Sequence, residues 1–418
     1  MTTMVNILGD AAQSRSRTTR PVLAAVTLAL VTALALAACD SAKPSPGPSP
    51  APTPKAGSDV YRWGVVGNQG AITQLERGTP TAITGITGKV VQIATSNSDG
   101  YALTSTGQVF AWGVNSYAEL GDGRETPYQT RAARVAFPPG VKIASLPNPM
   151  PFDAGLAIDS TGHVWGWGLD AENDLCLSGL IEAQPQRLPL SGVTLATGAR
   201  AHAMFYAHGT VYACGSGDAG ELGNGSAASS TRPARVFGLP DGVRVTALTS
   251  SWEGSGALLA NGEYYDWGYN PAGQLGDGTT RDSAVPVKVS LPGPATQVFQ
   301  GGSGPANGQT VAILSNGSVW AWGNNQRGQL GNGTRTSSDV PVRVHVPNGV
   351  TFAKVNSGGY TNFAVDSAGR LWAWGGNENG QLGTGSGQGI QAFPVSVGIR
   401  LTQVSSTASN VAGLGVRS

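Results

Sequence analysis

Charge is scarce in this sequence. Asp, Glu, Lys and Arg make up 12% of its 418 residues and the formal net charge is +1, so there is no long-range field to gather a polyanion. Lysine is rarer still, six residues against twenty arginines, and the basic positions are scattered. A nucleic-acid interface needs a basic stripe, and none is expected here. Histidine occurs only at His163, His202, His208 and His345, and cysteine only at Cys39, Cys176 and Cys214. No pair among them has the spacing of zinc ligands, which leaves no metal and no other cofactor to expect. What abounds is glycine, 61 residues, together with ten tryptophans. Glycine interrupts helices, while aromatic and β-branched side chains fill pleated surfaces, and the expected class is all-β.

An uncharged stretch from Pro21 to Ala38 follows Arg15, Arg17 and Arg20, as the apolar region of a secretory signal follows its basic one. It ends in Leu36-Ala37-Ala38-Cys39. Small residues before a cysteine resemble the bacterial lipobox, which implies that Cys39 carries diacylglycerol and becomes the mature N-terminus. The alternative is an uncleaved transmembrane helix, for which 18 residues lie at the short end. From Asp40 to Gly57 the chain is rich in Ser, Ala and Pro, with proline at every second position from Pro44 to Pro54. Polyproline II at about 3.1 Å per residue makes this a stalk of roughly 55 Å. The expected division is a signal peptide over 1–38, a lipidated Cys39 and stalk over 39–57, and a folded domain over 58–418. That places the domain outside the cytoplasm, held to the outer face of a bacterial cell membrane by lipid alone.

An aromatic residue, a spacer and Trp-Gly recur through the rest of the chain: Tyr61 to Gly64, Phe110 to Gly113, Trp165 to Gly168, Tyr265 to Gly268, Trp320 to Gly323 and Trp372 to Gly375. Tyr212-Ala213-Cys214-Gly215 is a seventh copy with cysteine in the Trp slot. Residues two apart in a strand share a face, so each aromatic pair can stack between neighbouring sheets. A glycine three positions before the aromatic, as at Gly107 and Gly317, marks a tight hairpin. Eight residues after the Trp slot stands a leucine, usually in Leu-Gly-x-Gly, as at Leu120, Leu222, Leu275, Leu330 and Leu382; Leu175-Cys176 is a degenerate copy. Two further strands complete each unit, giving the four strands of a propeller blade. The chain enters on an aromatic-Trp strand at Val60 to Trp63 and leaves on the preceding strand type at Val411 to Leu414. Pairing the N- and C-terminal strands would close a seven-bladed β-propeller and remove its open edges.

The stretch from Trp322 to Gly333, with its counterparts from Trp267 and Trp374, resembles the regulator of chromosome condensation repeat family. The resemblance covers residues 60–414 and implies a seven-bladed propeller. The first unit departs from it, since Val65 to Arg77 lack Gly-Gln-Leu-Gly, and the third carries Cys176 where glycine is usual. Family members of diverse function share this fold, among them secreted β-lactamase inhibitors and an exchange factor for a small nuclear GTPase.

Catalytic chemistry is hard to find. No Gly-x-Ser-x-Gly elbow joins a His and an acid in a strand-turn-helix context. Asn325 and Gln329 sit in glycine-rich loops flanked by strands, where backbone hydrogen bonding is the expected role, and Asp122, Asp277 and Glu119 read as solvated turn residues. Cys176 and Cys214 could be bonded, but two packed thiols are favoured, with Cys214 a core substitution for Trp. Sequence freedom concentrates in loops between the second and third strand types, and there stand Trp252, Phe152 and Tyr360. Aromatic anchors are enriched where proteins bind partners, against the alternative that each packs over its own blade. The expected function is a monomeric, non-enzymatic binding or scaffold module, for an unidentified protein or a cell-envelope glycan. The alternatives are a glycan hydrolase or lyase with carboxylates in the central pocket and, by family analogy, GTPase exchange activity.

Mass spectrometry of the membrane-extracted protein should find an acylated Cys39 at the N-terminus. A chain beginning at Met1, or an unmodified Cys39, would refute the lipoprotein assignment.

Overall fold

The computed structural model describes residues 60–64, 67–68, 71–72 and 80–415, apart from 172, 178–179, 303, 305–306, 379, 386–388 and 408–409. Cys39 and the segments before and after it lie outside the described residues.

The described residues form antiparallel sheets in chain order. Five sheets have four strands each, running from Val90–Thr95 to Thr126–Arg134, Ile143–Ser145 to Ile181–Arg187, Val193–Gly198 to Ser230–Arg235, Val245–Ser250 to Ser283–Lys288, and Ala295–Gly301 to Ser338–Arg343. A sixth has seven strands, from Phe352–Ser357 through Ile390–Ser406 and Asn410–Gly415 to Val60–Gly64 and Thr81–Ala82. The turn glycines expected from sequence, Gly107, Gly162, Gly209, Gly262, Gly317 and Gly369, all have φ between 78° and 82°, the left-handed region that side chains with a Cβ rarely enter.

The protein is a β-propeller with six blade sheets where seven blades were expected. The cause lies in Ile390–Ser406, a strand of 17 residues. Its first part pairs with Arg370–Gly376, from Gly376↔Ile390 to Arg370↔Arg400, and its last part with Asn410–Gly415, from Leu401↔Gly415 to Ser406↔Val411. Elsewhere a loop separates the outer strand of one unit from the inner strand of the next, as between Arg343 and Phe352. Here one strand does both duties and fuses two units into one sheet.

Terminal strands pair as the repeat arithmetic required: Val60↔Leu414 through Gly64↔Asn410, antiparallel. The seven-stranded sheet then meets the sheet at Val90 through polar contacts, with Thr95 Oγ1 and Ser405 Oγ at 2.7 Å and Gln403 Nε2 donating to Val91 O at 2.8 Å. Among the described residues, these contacts join the last sheet to the first.

Neighbouring sheets are joined by one repeated device. The Trp of each Trp-Gly is fully or nearly fully buried, and in five of the six its indole lies against the Leu-Gly glycine of the preceding unit. A Cβ added to Gly121 would stand 2.7 Å from Trp167, and one on Gly383 would stand 2.9 Å from Trp63; Gly223, Gly276 and Gly331 meet Trp267, Trp322 and Trp374 in the same way. The indole N–H donates across the joint, from Trp167 to Glu119 O and Trp267 to Glu221 O at 2.8 Å, and from Trp63 to Gln381 O at 3.1 Å. Only a residue without a side chain permits this approach.

At one joint the device is replaced. Cys176 in the glycine slot and Cys214 in the tryptophan slot form a disulfide, with Cα atoms 5.8 Å apart, so the favoured pair of free thiols is corrected. The covalent bond connects the same two positions that indole and glycine connect elsewhere. Losing a native disulfide commonly costs about 2–5 kcal/mol, and melting should drop accordingly in Cys214→Ala or on reduction. The double variant Cys176→Gly with Cys214→Trp should restore a joint of the common kind, melting near the wild type and indifferent to reductant. A double variant no more stable than Cys214→Ala would show that the two devices are not equivalent.

Candidate functional site

Loops between the second and third strand types gather around the axis on one face. The Leu-Gly loops are fixed by their amide side chains. Asn325 Nδ2 donates to Thr334 O and Thr336 O while its Oδ1 accepts from Leu330 N at 2.8 Å, and Gln329 Oε1 accepts from Arg327 N at 2.7 Å. These are backbone-holding roles, as expected from sequence. The axial loops are tight hairpins closed by a repeated bond: Ser96 N to Asp99 O, Ala199 N to His202 O, Ser251 N to Gly254 O and Gly358 N to Thr361 O, at 2.8–3.0 Å. Each leaves two residues at its tip, and Arg200 and Trp252 hold the first tip position of adjacent units.

This equivalence explains the principal feature of the face. The Arg200 guanidinium lies 4.8 Å over the Trp252 ring, and Phe152, one unit further round, meets Trp252 edge to face at 5.2 Å and 80°. Phe152 is held by backbone bonds to both sides, donating to Ala199 O and accepting from Asn97 N, each at 3.1 Å. Phe152 and Trp252 are half-buried and Arg200 is exposed. Together with Asn97, Pro149, Met150, Gln300, Gly301, Gly358 and Thr407 they line a small cavity of about 50 Å³ at the axial mouth. Every unit with a complete axial loop contributes to it.

Tyr360 stands apart from this pair. Its hydroxyl accepts from Asn307 Nδ2 at 2.9 Å and its ring lies under Arg327 at 5.3 Å, with Arg327 also paired to Glu378. Of the three aromatic candidates, the structure brings two together. Arg200 was not singled out from sequence, although it stands about one repeat length before Trp252.

The electrostatics beneath the face depend on desolvation. Burial pushes Asp153 up to about 6, with Arg200 pulling the other way, and raises Glu253, where Arg200 again opposes. Glu119, expected as a solvated turn residue, is 1% exposed; burial raises it to about 7 against bonds from backbone N–H groups. That expectation is corrected, because the loop that carries Leu120 turns Glu119 inward to accept from Tyr117 N at 2.8 Å. Glu221 is likewise raised to about 7 and Asp170 to about 6, both by burial. His202, fully buried with Nε2 2.8 Å from Ser255 Oγ, is pushed down to about 4 by desolvation. Among the described residues, no group of three or more His, Cys, Asp or Glu is placed to hold a metal ion.

Ring architecture, indole joints and terminal closure define the protein as a β-propeller of tandem repeats. The chain belongs to the RCC1-like domain family, whose model matches residues 59–413. It is 28% identical over 330 residues to the E3 ubiquitin-protein ligase HERC2 of Mus musculus, covering 76% of this chain and 7% of that protein. It is 28% identical over 318 residues to the ultraviolet-B receptor UVR8 of Arabidopsis thaliana, covering 74% of this chain and 70% of the receptor. Human WBSCR16 has the same fold with a TM-score of 0.73 at 20% identity, over 85% of this chain and 98% of that structure. Prp20p of Saccharomyces cerevisiae follows at 0.71 and 19%, over 87% and 93%. This chain thus spans a small fraction of HERC2 and most of the solved propellers.

Buried acids make stability depend on pH. The unfolded chain releases protons from Asp and Glu near 3.8 and 4.5, whereas the folded protein keeps them on Asp153 and Asp170 to about 6 and on Glu119 and Glu221 to about 7. Their contribution is complete below the unfolded values and is lost as pH rises through 6 and 7. His202 works oppositely between 6.5 and about 4, one group against four. The melting temperature should therefore be higher at pH 5.5 than at pH 8; the reverse order would mean that these carboxylates are solvated.

Proposed function

We propose that this domain is a tethered binding module that docks a protein partner on its axial face, acting by holding and not by catalysis. The observation that carries this reading is the cluster of Phe152, Trp252 and Arg200 at the axial mouth. Trp and Arg are the residue types that dominate interface energetics, and here loops from different units present them to solvent where neither strand packing nor turn geometry demands them. Among relatives of the fold, Prp20p is described as binding Gsp1p and histones. A shared fold does not transfer those partners, so the present reading rests on this site.

Placement outside the cytoplasm, on a lipid at Cys39 with 40–57 as the stalk of a folded domain over 58–418, belongs to the same proposal. Its support is the N-terminal sequence together with the Cys176–Cys214 bond, since disulfides persist in oxidising compartments. The finer count of seven units is retained on the register of the fused sheet, where Ile390–Ser406 pairs on one side for eleven residues' span and on the other for six, as two blades would. A glycan hydrolase or lyase has less support, because no Asp or Glu lines the mouth among the described residues, and Asp218, Glu221, Glu253 and Asp282 belong to a recess beside it.

Envelope and secreted proteins captured by the full chain, compared with capture by Trp252→Ala, test the docking face. A desolvated Trp anchor lost to alanine costs about 2 kcal/mol or more, roughly a thirtyfold weakening, with the melting curve little changed. Unaltered affinity in a folded variant would remove Trp252 from the interface, and loss of folding would show that its role is packing.

A further inference from the structure

A second recess adjoins the axial mouth and shares a wall with it. Arg200 and Trp252 line both, and beyond them a volume of about 480 Å³ is bounded by Asp218, Glu221, Glu253, Asp282 and Tyr269. Four carboxylates face this volume and one guanidinium answers them. Glu253 and Asp218 oppose the charge of Glu221, Asp282 opposes that of Glu253, and Arg200 favours it.

Hydrogen-bond acceptors are also in excess where the two cavities meet. Glu253 Oε2 is shielded from solvent and has no partner. Gln300, 4% exposed and lining the mouth, gives its amide N–H to Asp266 Oδ1 at 2.6 Å, which leaves its own Oε1 without a donor. Buried acceptors without donors carry a desolvation cost that a suitable ligand removes. The site is short of N–H groups and of positive charge.

We propose that the partner docking on this face presents a basic side chain, lysine or arginine, to the recess beside Trp252, next to an apolar side chain that enters the axial mouth. This rests on the reading of the axial face as a docking surface and adds the chemistry of what docks. The mouth has room for about one side chain, and Met150, Phe152 and Trp252 give it apolar walls. A cation on the recess side would meet Tyr269 as an aromatic wall and the carboxylates as charge-assisted acceptors. Arg200 already shows, from within the chain, how a guanidinium seats on the Trp252 face. An acidic partner would add like charge to four carboxylates, which excludes it on the same argument.

Selection of a phage-displayed random dodecapeptide library on the immobilised full chain, with counter-selection on Trp252→Ala, tests the inference. Retained peptides should carry Lys or Arg within a few residues of an apolar side chain. Replacing that residue by norleucine should weaken binding about tenfold, as should Glu253→Gln, and added salt should weaken it further. Asp218→Lys, at an exposed position, should do the same and serves if Glu253→Gln disturbs folding; melting curves decide which variant is read. Peptides that need Trp252 but carry no basic residue, or that ignore both acidic-site variants, overturn the basic-partner inference and leave the docking face standing. A selection that yields nothing able to distinguish wild type from Trp252→Ala overturns the docking face, and the inference with it.

Discussion

Five joints of this ring depend on an indole resting against a bare backbone, and another on a disulfide in the same two slots. The tryptophan contributes a large buried surface, at four of the five its N–H satisfies a carbonyl of the preceding unit, and the glycine beneath it makes the approach sterically allowed. Sheets packed face to face must otherwise find complementary side chains on both surfaces. Here one residue on each side suffices, so the remaining inner-face positions can vary. Tyr264 illustrates that freedom: it fills the space over Gly256, where an added Cβ would lie 2.0 Å from its hydroxyl, and donates or accepts with Thr249 Oγ1 at 2.7 Å.

A rigid ring of this kind determines what its loops can do. Inner strands are stitched near the axis by side-chain bonds between sheets, such as Thr197 to Ser250 at 2.8 Å and Gln309 to Gly358 O at 3.0 Å. Arg200 and Trp252 stand on hairpins with two-residue tips, too short to rearrange without breaking ladder bonds, and Phe152, in a longer loop, is held by backbone bonds to Ala199 and Asn97. Arg200, Trp252 and Phe152 are therefore presented in a preset arrangement. Preorganisation of this sort lowers the ordering entropy lost on binding, which suits a surface whose affinity must come from a few residues.

Much of this was legible in the sequence because the repeats expose their own logic. The Trp-Gly and Leu-Gly-x-Gly motifs at fixed offsets foretold the four-stranded unit, and the unequal ends foretold the pairing of Val60–Gly64 with Asn410–Gly415. The fused strand left a trace that was not read: the connecting loops of the other units carry proline, as at Pro138, Pro189, Pro240, Pro292 and Pro347, and Val395 to Leu401 carry none. The disulfide could have been found: Cys176 and Cys214 occupy the two slots that touch at five other joints, but that contact is visible only once the sheets are stacked. Glu119 misled because a charged residue in a turn is ordinarily solvated, and here the next unit's Trp167 draws its carbonyl, and with it the residue, into the joint. Arg200 was missed because an arginine in a loop carries no signal until its tip position is matched to that of Trp252.

The closing strand has a consequence for the order in which this molecule can be made. Val60–Gly64 is the first strand of the ring to leave the ribosome, yet its partner Asn410–Gly415 emerges last. Throughout synthesis the edge of the leading strand that Asn410–Gly415 will cover must remain unpaired, its other edge being held by Thr81–Ala82, while the other sheets form behind it. A chain that pairs its first strand with its last has high contact order and gains that pairing only at the end. The ring is consequently finished by an event that no partial chain can rehearse, and its completion reports that the whole domain has arrived.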